Sequence, residues 1–437
     1  MTGKYGGAAF ILIYLVFLVL LGLPILVSEF AVGRSSRLST ARAFHKLEPE
    51  GSNFHKYSYM GMIGNYMLMM FYTMVAGWMM YYCYVMATGK LSGASSDEVS
   101  GFFSNLMTST GTMTGWMIAA VLLAFGVCSL GLKNGIERIT KVMMICLLGI
   151  MAVLVVRAVT LPGGLEGLKF YLIPDFGKLF AGATTAEQWA TFGDAVYAAM
   201  GQAFFTLSLG ISAMEIFGSY IGKERSLTGE ALRICGLDTA VALVAGLIIF
   251  PACFAFAVEP GSGPGLVFVT LPSVFNQMPP GQLWGALFFV FMSFAALSTI
   301  IAVFENLISW SMDKWGWSRH TAVARTAVIV CVLSLPCALG FNVLAGVQIP
   351  AIGDIQSIED FIVSNNLLPL GSLFYVLFCV SRGGWGWDNF LAEADTGKGI
   401  RFPRWSKLWL KFGIPALILV IFVMGYVPKF AVWLGMA

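Results

Sequence analysis

The chain has 437 residues, of which 58% are hydrophobic and only 11% are charged, and its mean hydropathy is +0.81. Soluble domains carry charge on about a quarter of their residues, so this composition excludes an ordinary water-soluble protein and indicates a lipid bilayer as the surroundings. The net charge of +3 is small and the basic residues lie scattered in short loops, which excludes nucleic acid as a partner.

Ten stretches are apolar over the roughly 20 residues that a helix needs to cross the hydrocarbon core. In chain order they cover residues 9–33, 57–87, 113–132, 142–161, 190–221, 229–257, 281–311, 321–341, 361–381 and 408–428. The sequence therefore predicts an all-α, polytopic protein of the inner (plasma) membrane with about ten transmembrane helices.

Lysine and arginine cluster in alternate loops, and this bias fixes the orientation of a multi-pass protein. The loops after the first, third, fifth, seventh and ninth spans are basic, whereas segments 88–112, 258–280 and 342–360 hold few or no basic residues. We expect the basic loops to be cytoplasmic, which would place the N-terminus outside. A further transmembrane helix upstream of residue 1 is therefore expected.

The fifth span contains a run of small and polar residues at mid-membrane depth, including Thr206, Ser208, Gly210 and Ser212. A helix broken here would expose backbone donors and acceptors, which a bilayer tolerates only where they line a cavity or bind an ion. A continuous helix whose small residues permit close packing explains the same run. The residues leave both alternatives open.

Segment 261–280 is rich in glycine and proline around an amphipathic stretch at 266–275 that is too short to span the membrane. We expect this segment to cap the extracellular face or to re-enter it.

Polar side chains within apolar spans are candidates for ion binding. Asp238 is a carboxylate in the sixth span, and oxygen ligands suit a hard cation, although pairing within the bundle is the alternative. Ala295, Ser298 and Thr299 share one face of the seventh span and offer a carbonyl and two hydroxyls. Such hydroxyls also often bond to their own helix.

Two further side chains are candidates. Glu29, near the inner end of the first span, could accept bonds from the amides of a broken helix, or lie at the interface as a solvated carboxylate. Tyr72 offers a phenol at mid-span to a substrate carboxylate, or simply packs. HExxH, GxSxG, Walker A and Rossmann motifs are absent from the sequence, which predicts that the chain is not an enzyme.

Several motifs along the chain resemble the neurotransmitter:sodium symporter family, particularly its bacterial sodium-dependent amino-acid transporters. They are residues 6–10 (GGAAF), 22–34 (GLPILVSEFAVGR), 135–138 (GIER), 174–176 (PDF), 204–210 (FFTLSLG) and 270–272 (TLP). The resemblance implies a single transporter domain over 1–437, built from two inverted repeats with discontinuous helices. It also implies that the chain spans family helices 2 to 11 and lacks the first.

Carried over residue by residue, the resemblance implies two sodium sites. Thr206 and Asp238 correspond to ligands of the first site, and Asp238 stands at a position more often occupied by asparagine. Ala295, Ser298 and Thr299 correspond to ligands of the second site. Both sites would be incomplete without the first family helix, which contributes to each.

The resemblance also implies a substrate pocket. Its residues would be Leu68, Tyr72, Phe205, Ser208, Ile211 and Val303. Tyr72 and Phe205 would form a lid over the substrate. Because Leu68, Ile211 and Val303 are apolar, a neutral, hydrophobic amino acid is the expected ligand.

Four residues are implied in gating, namely Asp360 at the outer gate, Asp313 at the inner gate, and Tyr220 and Glu29. The arginine partners of the two aspartates would belong to the absent helix. Ala242 replaces a carboxylate that chloride-independent members of the family use, but Asp238 could supply that negative charge instead. We therefore expect that chloride is not required.

The leading hypothesis is uptake of the amino acid by sodium-coupled symport with alternating access. One alternative is a truncated, non-transporting fragment. Another is a transporter of the same fold coupled to protons, since a dry and unpaired Asp238 could titrate. The residues specify neither the amino acid, nor the sodium stoichiometry, nor an oligomeric state.

Overall fold

The computed structural model describes residues 1–256, 258 and 263–435 of the chain. Nine helices in this described part are long and apolar enough to cross a membrane. They are α1 (Ala8–Ser36), α3 (Phe54–Ala87), α5 (Thr110–Ser129), α6 (Gly135–Val159), α10 (Leu227–Ala255), α12 (Gly281–Trp315), α13 (Arg319–Leu339), α14 (Ile355–Val380) and α16 (Ser406–Trp433).

Shorter helices connect these spans. They are α2 (Thr40–Leu47), α4 (Ser96–Thr108), α7 (Gly164–Leu172), α11 (Leu266–Asn276) and α15 (Trp387–Ala394), with a 3-10 turn at Phe176–Phe180. The N-terminus of α4 is closed by a capping box in which Ser95 and Glu98 satisfy each other's backbone amides.

The fifth predicted span is not one helix but two. Helix α8 (Thr185–Thr206) ends where the small residues begin, and α9 (Ala213–Tyr220) resumes after residues 207–212. Ser208, Gly210 and Ser212 have positive φ angles of 48°, 80° and 67°, a left-handed conformation that no α-helix can continue. Of the two alternatives that the sequence left open, the broken helix is the one present.

Three of the long helices and the short α11 each contain a five-residue π-helical stretch, at Leu18–Gly22, Val363–Leu367, Trp409–Gly413 and Leu266–Thr270. Each stretch ends two residues before a proline, which has no N–H for the carbonyl four residues earlier. Before Pro24 that carbonyl belongs to Leu20, and it accepts a bond of 2.7 Å from the indole Nε1 of Trp409. The proline positions thus explain the irregular turns.

Small residues allow a close contact between α1 and α9. A Cβ atom at Gly33 would lie 1.9 Å from the carbonyl oxygen of Glu215, and one at Gly218 would lie 2.7 Å from Cα of Phe30. Without a hydrophobic effect between helices in lipid, such close backbone packing is a main source of association. It fixes α9, the second half of the broken span, against α1.

The described part of segment 261–280 contains α11, while residues 261 and 262 lie outside the described residues. Phe268 of α11 is fully buried among the rings of α3, α4 and α12, which are Trp78, Tyr82, Phe103 and Phe289 at centroid distances of 5.6, 5.1, 5.5 and 6.1 Å. This aromatic packing anchors the segment, and its role as an extracellular cap stays a prediction.

Candidate functional site

The break between α8 and α9 is held open by side chains from other helices. The buried carboxylate of Glu29, on α1, accepts a bond of 2.6 Å at Oε1 from the backbone N–H of Gly210. On the other side of the same residue, the hydroxyl of Tyr57 donates to the carbonyl oxygen of Gly210. Both backbone groups of Gly210 therefore have partners although the helix does not supply them.

The next carbonyl is satisfied in the same way. Asn65 of α3 donates its amide N–H to the carbonyl oxygen of Ile211 and to that of Gly61, the latter at 2.7 Å. Asn306 of α12 donates to Ile211 at 3.4 Å. An unpaired backbone group in hydrocarbon costs several kcal/mol, because no water replaces the lost hydrogen bond. The side-chain amides of Asn65 and Asn306 therefore stabilise the broken helix.

Glycines let the neighbouring helices approach this unwound backbone. A Cβ at Gly371 of α14 would lie 1.7 Å from the carbonyl oxygen of Gly210, and a Cβ at Gly64 of α3 would lie 2.7 Å from Cγ2 of Ile211. A larger residue at either position would push its helix away. The unwound segment therefore packs tightly between α3 and α14.

A cavity of about 230 Å³ lies beside the break. Its lining residues come from α3, α8, α10, α12, α14 and the unwound segment; they are Leu68, Tyr72, Gln202, Phe205, Thr206, Ser208, Asp238, Thr299 and Leu368. Seven of these nine were singled out from the sequence as substrate or sodium residues. The bundle therefore brings residues more than 200 positions apart to one place.

Two residues assigned to the substrate pocket do not line this cavity. Ile211 and Val303 are both buried, at 0% and 1% exposure. The side chain of Ile211 lies against Gly64, while its carbonyl faces the amides of Asn65 and Asn306. Gln202 and Leu368 line the cavity in addition to the predicted set.

The proposed ligands of the first sodium site are in direct contact. Thr206, the last residue of α8, donates its hydroxyl to Oδ2 of Asp238 on α10 at 2.7 Å. Both side chains are partly exposed to the cavity. A carboxylate and a hydroxyl at the end of a broken helix form a set of oxygen atoms suited to a hard cation.

The proposed ligands of the second site share one carbonyl. Ser298 and Thr299 donate their hydroxyls to the carbonyl oxygen of Ala295 at 2.8 and 3.3 Å. The three oxygens thus lie together on α12. The two hydroxyls bond to their own helix, which is the alternative to ion binding that the sequence left open. Thr299 alone of the three lines the cavity.

On one side of the cavity, Gln202 and Phe205 also line a second space of about 310 Å³ that contains Asp360 and Ser364. The hydroxyl of Ser364 donates to Oδ1 of Asp360 at 2.6 Å. Phe205 therefore stands between the first cavity and the region of the predicted outer gate.

A third space of about 380 Å³ adjoins Gln202 and Thr206 and is lined in part by Tyr14, Thr239 and Ala242. The predicted chloride-related position, Ala242, therefore lies close to the proposed sodium ligands. Its small side chain leaves room that a carboxylate could otherwise fill.

The opposite end of the bundle is closed by polar contacts. The backbone N–H and the hydroxyl of Ser39 both donate to Oδ2 of Asp313, at 2.8 and 2.7 Å. Thr40 donates its hydroxyl to Oε2 of Glu215 at 2.7 Å, and Tyr375 donates to the same oxygen. The start of α2 is thereby fastened to α12, α9 and α14.

Tyr220, the last residue of α9, belongs to a neighbouring network. Its hydroxyl donates to Oε1 of Glu305 at 3.1 Å, and the buried Glu305 pairs with Arg319 at 2.5 Å. Arg319 also donates to the carbonyl of Cys128. Sequence reasoning missed Glu215 and Glu305, although a charged residue inside an apolar span is a signal that could have found them. Arg319 lies between two predicted spans, where the sequence gives no such signal.

Comparison with known proteins gives consistent matches over nearly the whole chain. The family profile described as the sodium:neurotransmitter symporter family matches residues 1–101 and 96–432. An uncharacterized sodium-dependent transporter of Bacillus subtilis, YhdH, is 34% identical over 97% of this chain and 90% of its own length. An uncharacterized sodium-dependent transporter of Haemophilus influenzae is 30% identical over 97% of this chain and 91% of its own. Among solved structures, MhsT in complex with L-phenylalanine has a TM-score of 0.84 at 36% identity, covering 97% of this chain and 93% of that one.

Proposed function

Because the chain belongs to the sodium:neurotransmitter symporter family, we propose that it takes up a neutral, hydrophobic amino acid by sodium-coupled symport with alternating access. Family membership makes the chain a sodium-dependent, multi-pass membrane transporter of a small molecule. It confirms the predicted family, the predicted inverted-repeat fold and the prediction that the chain is not an enzyme. The substrate, the number of sodium ions and the chloride requirement belong to the proposal.

One observation carries the proposal: the break at residues 207–212 opens beside the cavity that contains Thr206, Ser208 and Asp238. Discontinuous helices in transporters use their freed backbone groups to bind substrate and coupling ions at the membrane's midplane. A span with a purely structural role would gain nothing from four buried side chains that hold it open.

The walls of the cavity favour a neutral, apolar side chain. Leu68, Leu368 and Phe205 are apolar, and Tyr72 offers one hydroxyl. Among the nine lining residues, Asp238 alone is a carboxylate, and its partner is Thr206. The complex of the similar protein MhsT with L-phenylalanine supports an amino acid of this kind.

We assign one sodium ion to Asp238 and Thr206 and a second to Ala295, Ser298 and Thr299. At the first site, a sodium ion would lie between the Asp238 carboxylate and the Thr206 hydroxyl oxygen, in place of the hydrogen bond that now joins them. The charge of Asp238 also serves in place of chloride. Each sodium ion that moves down 100 mV supplies about 2.3 kcal/mol, enough to concentrate a substrate about 50-fold.

Alternating access requires that one end opens while the other closes. Phe205 and Tyr72 would cover the substrate from the side of Asp360, and the Ser39–Asp313 and Tyr220–Glu305 contacts would close the other side. We propose that residues 1–437 work as one transport domain, with 261–280 as its extracellular cap.

The test is uptake of labelled amino acids by the purified chain in liposomes. We expect phenylalanine, leucine and tryptophan to accumulate only under an inward sodium gradient, with or without chloride, and glutamate and lysine to be excluded. Accumulation driven by a pH gradient without sodium would support the proton-coupled alternative and refute the proposal. The absence of uptake for every amino acid would refute it in favour of a non-transporting chain.

A further inference from the structure

Two of the chain's three histidines meet one carboxylate in the loop between α2 and α3. His45 lies in the last turn of α2, Glu48 follows the end of that helix, and His55 lies in the first turn of α3. The Nδ1 atoms of His45 and His55 are 3.2 and 2.6 Å from the same oxygen, Oε1 of Glu48. All three potential ligand atoms lie within 4.8 Å of one another.

These atoms have the chemistry of a transition-metal site and lie near the spacing that such a site requires, so a modest adjustment of the side chains would complete it. Imidazole nitrogen and carboxylate oxygen bind zinc at about 2.0–2.2 Å, so ligand atoms around a tetrahedral ion lie about 3.3 Å apart. The contact of His45 already has this length, and that of His55 needs to open by about 0.7 Å. The side chain of His45 is 78% exposed, which leaves it free to adjust.

The carboxylate is oriented by an outer contact, as is usual for metal ligands. Oε2 of Glu48 accepts the backbone N–H of His55 at 3.1 Å, which leaves Oε1 facing both imidazoles. The neighbouring cation Lys46 is turned away, because its Nζ donates to the carbonyl of Ser36 at 2.8 Å. The carboxylate of Glu48 is only 5% exposed, so the loop fold holds it in place.

We propose that His45, Glu48 and His55 bind a zinc-class divalent cation on the face of the transporter that carries the basic loops, with water completing the coordination. This site is separate from the transport cavity and goes beyond the proposed function. The spacing H-x2-E-x6-H is not a known metal-binding motif, so only the folded arrangement of the three residues indicates the site.

The position of the site gives the ion a structural consequence. It would tie the end of α2 to the start of α3, while the start of α2 is fastened to Asp313 and Glu215 through Ser39 and Thr40. The bound ion would therefore stabilise the closed arrangement of this end of the bundle.

The test is zinc binding to the purified, tag-free transporter in detergent, measured by competition with a chromophoric zinc chelator. We expect one zinc ion per chain. Loss of even an outer partner of a ligand weakens metal affinity by about 10–100-fold. Loss of a ligand itself, in H45A, H55A or E48Q, should therefore weaken zinc affinity by at least about tenfold. The matched control is H320A, which removes the third histidine, exposed at the start of α13.

A second readout separates loss of the site from loss of the fold. Saturating zinc should raise the Tm of the wild type and of H320A but not that of H45A or H55A, all of which should have similar Tm values without zinc. Equal zinc affinity in wild type and H45A/H55A, or absence of stoichiometric zinc binding in the wild type, would overturn the proposal. Neither measurement depends on transport, so failure of the metal-site proposal is distinguishable from failure of the proposed function.

Discussion

The two proposed sodium sites offer oxygen atoms to the membrane interior in different ways. At the first site, α8 ends at Thr206, and side chains of other helices bond both backbone groups of Gly210 and the carbonyl of Ile211 in the break. At the second, α12 is unbroken from Gly281 to Trp315, and the hydroxyls of Ser298 and Thr299 bond to the helix that carries them.

This difference teaches where substitutions should matter. A broken helix depends on tight backbone contacts and on partners that come from distant parts of the chain, so single changes there remove several interactions at once. An intact helix keeps its own backbone bonds when a side-chain hydroxyl is removed, so loss of the Ser298 or Thr299 hydroxyl should act mainly on ion affinity.

The largest effect is expected for G210A. Gly210 has φ of 80°, and a Cβ there would lie 2.1 Å from the carbonyl oxygen of Leu368. The strain of about 1–3 kcal/mol adds to the clash, so this variant should lose sodium-dependent binding and most of its folded yield. Size-exclusion chromatography and Tm measure the outcome. The control is G149A on α6, where a Cβ meets open space and should be tolerated; equal yields for the two variants would contradict this account.

A smaller effect is expected for E29A. Removal of the carboxylate leaves the buried N–H of Gly210 without its acceptor, which costs about 1–3 kcal/mol. E29Q retains a carbonyl oxygen at the same place and should lose less. The comparison is made by Tm in a single detergent. If E29A is as stable as the wild type, the break is not held by Glu29.

The smallest effects are expected on α12. T299A removes a hydroxyl that lines the cavity and should weaken the apparent sodium affinity by severalfold, whereas S298A removes one that does not line it and should change it less. Neither should change the Tm by much, because Ala295 loses one hydrogen bond of about 1 kcal/mol in each case. Sodium titrations of substrate binding measure the apparent sodium affinity of both variants. A large loss of stability in either variant would contradict the expectation that the α12 site tolerates substitution better than the broken helix.

The sequence predicted the spans well because apolar length alone determines whether a helix can cross a bilayer. It also predicted most of the cavity, through residues such as Tyr72, Thr206 and Asp238 that the family resemblance assigns. It could not decide between a broken and a continuous fifth span, since the same glycine and serines suit both.

The partners of the break were only partly within reach of sequence reasoning. The sequence raised Glu29 as an acceptor for the amides of a broken helix, and the N–H of Gly210, 181 positions away, does donate to it. Asn306 was not singled out, because it lies 95 positions from Ile211 and their contact exists only once the bundle is assembled. The placement of Ile211 shows the converse. The family resemblance assigns it to the substrate pocket, but its side chain packs against Gly64, a close contact that no local pattern indicates.

The central claim is that the cavity beside the break couples an amino acid to sodium through Asp238. The most direct test is equilibrium binding of labelled L-phenylalanine to the purified chain across a sodium titration, for wild type, D238A and the control D194A, which removes an exposed carboxylate on α8 away from the cavity. We expect binding by wild type and D194A to require sodium and D238A to need at least about tenfold more. Sodium-independent binding, or an unchanged sodium requirement in D238A, would contradict the claim.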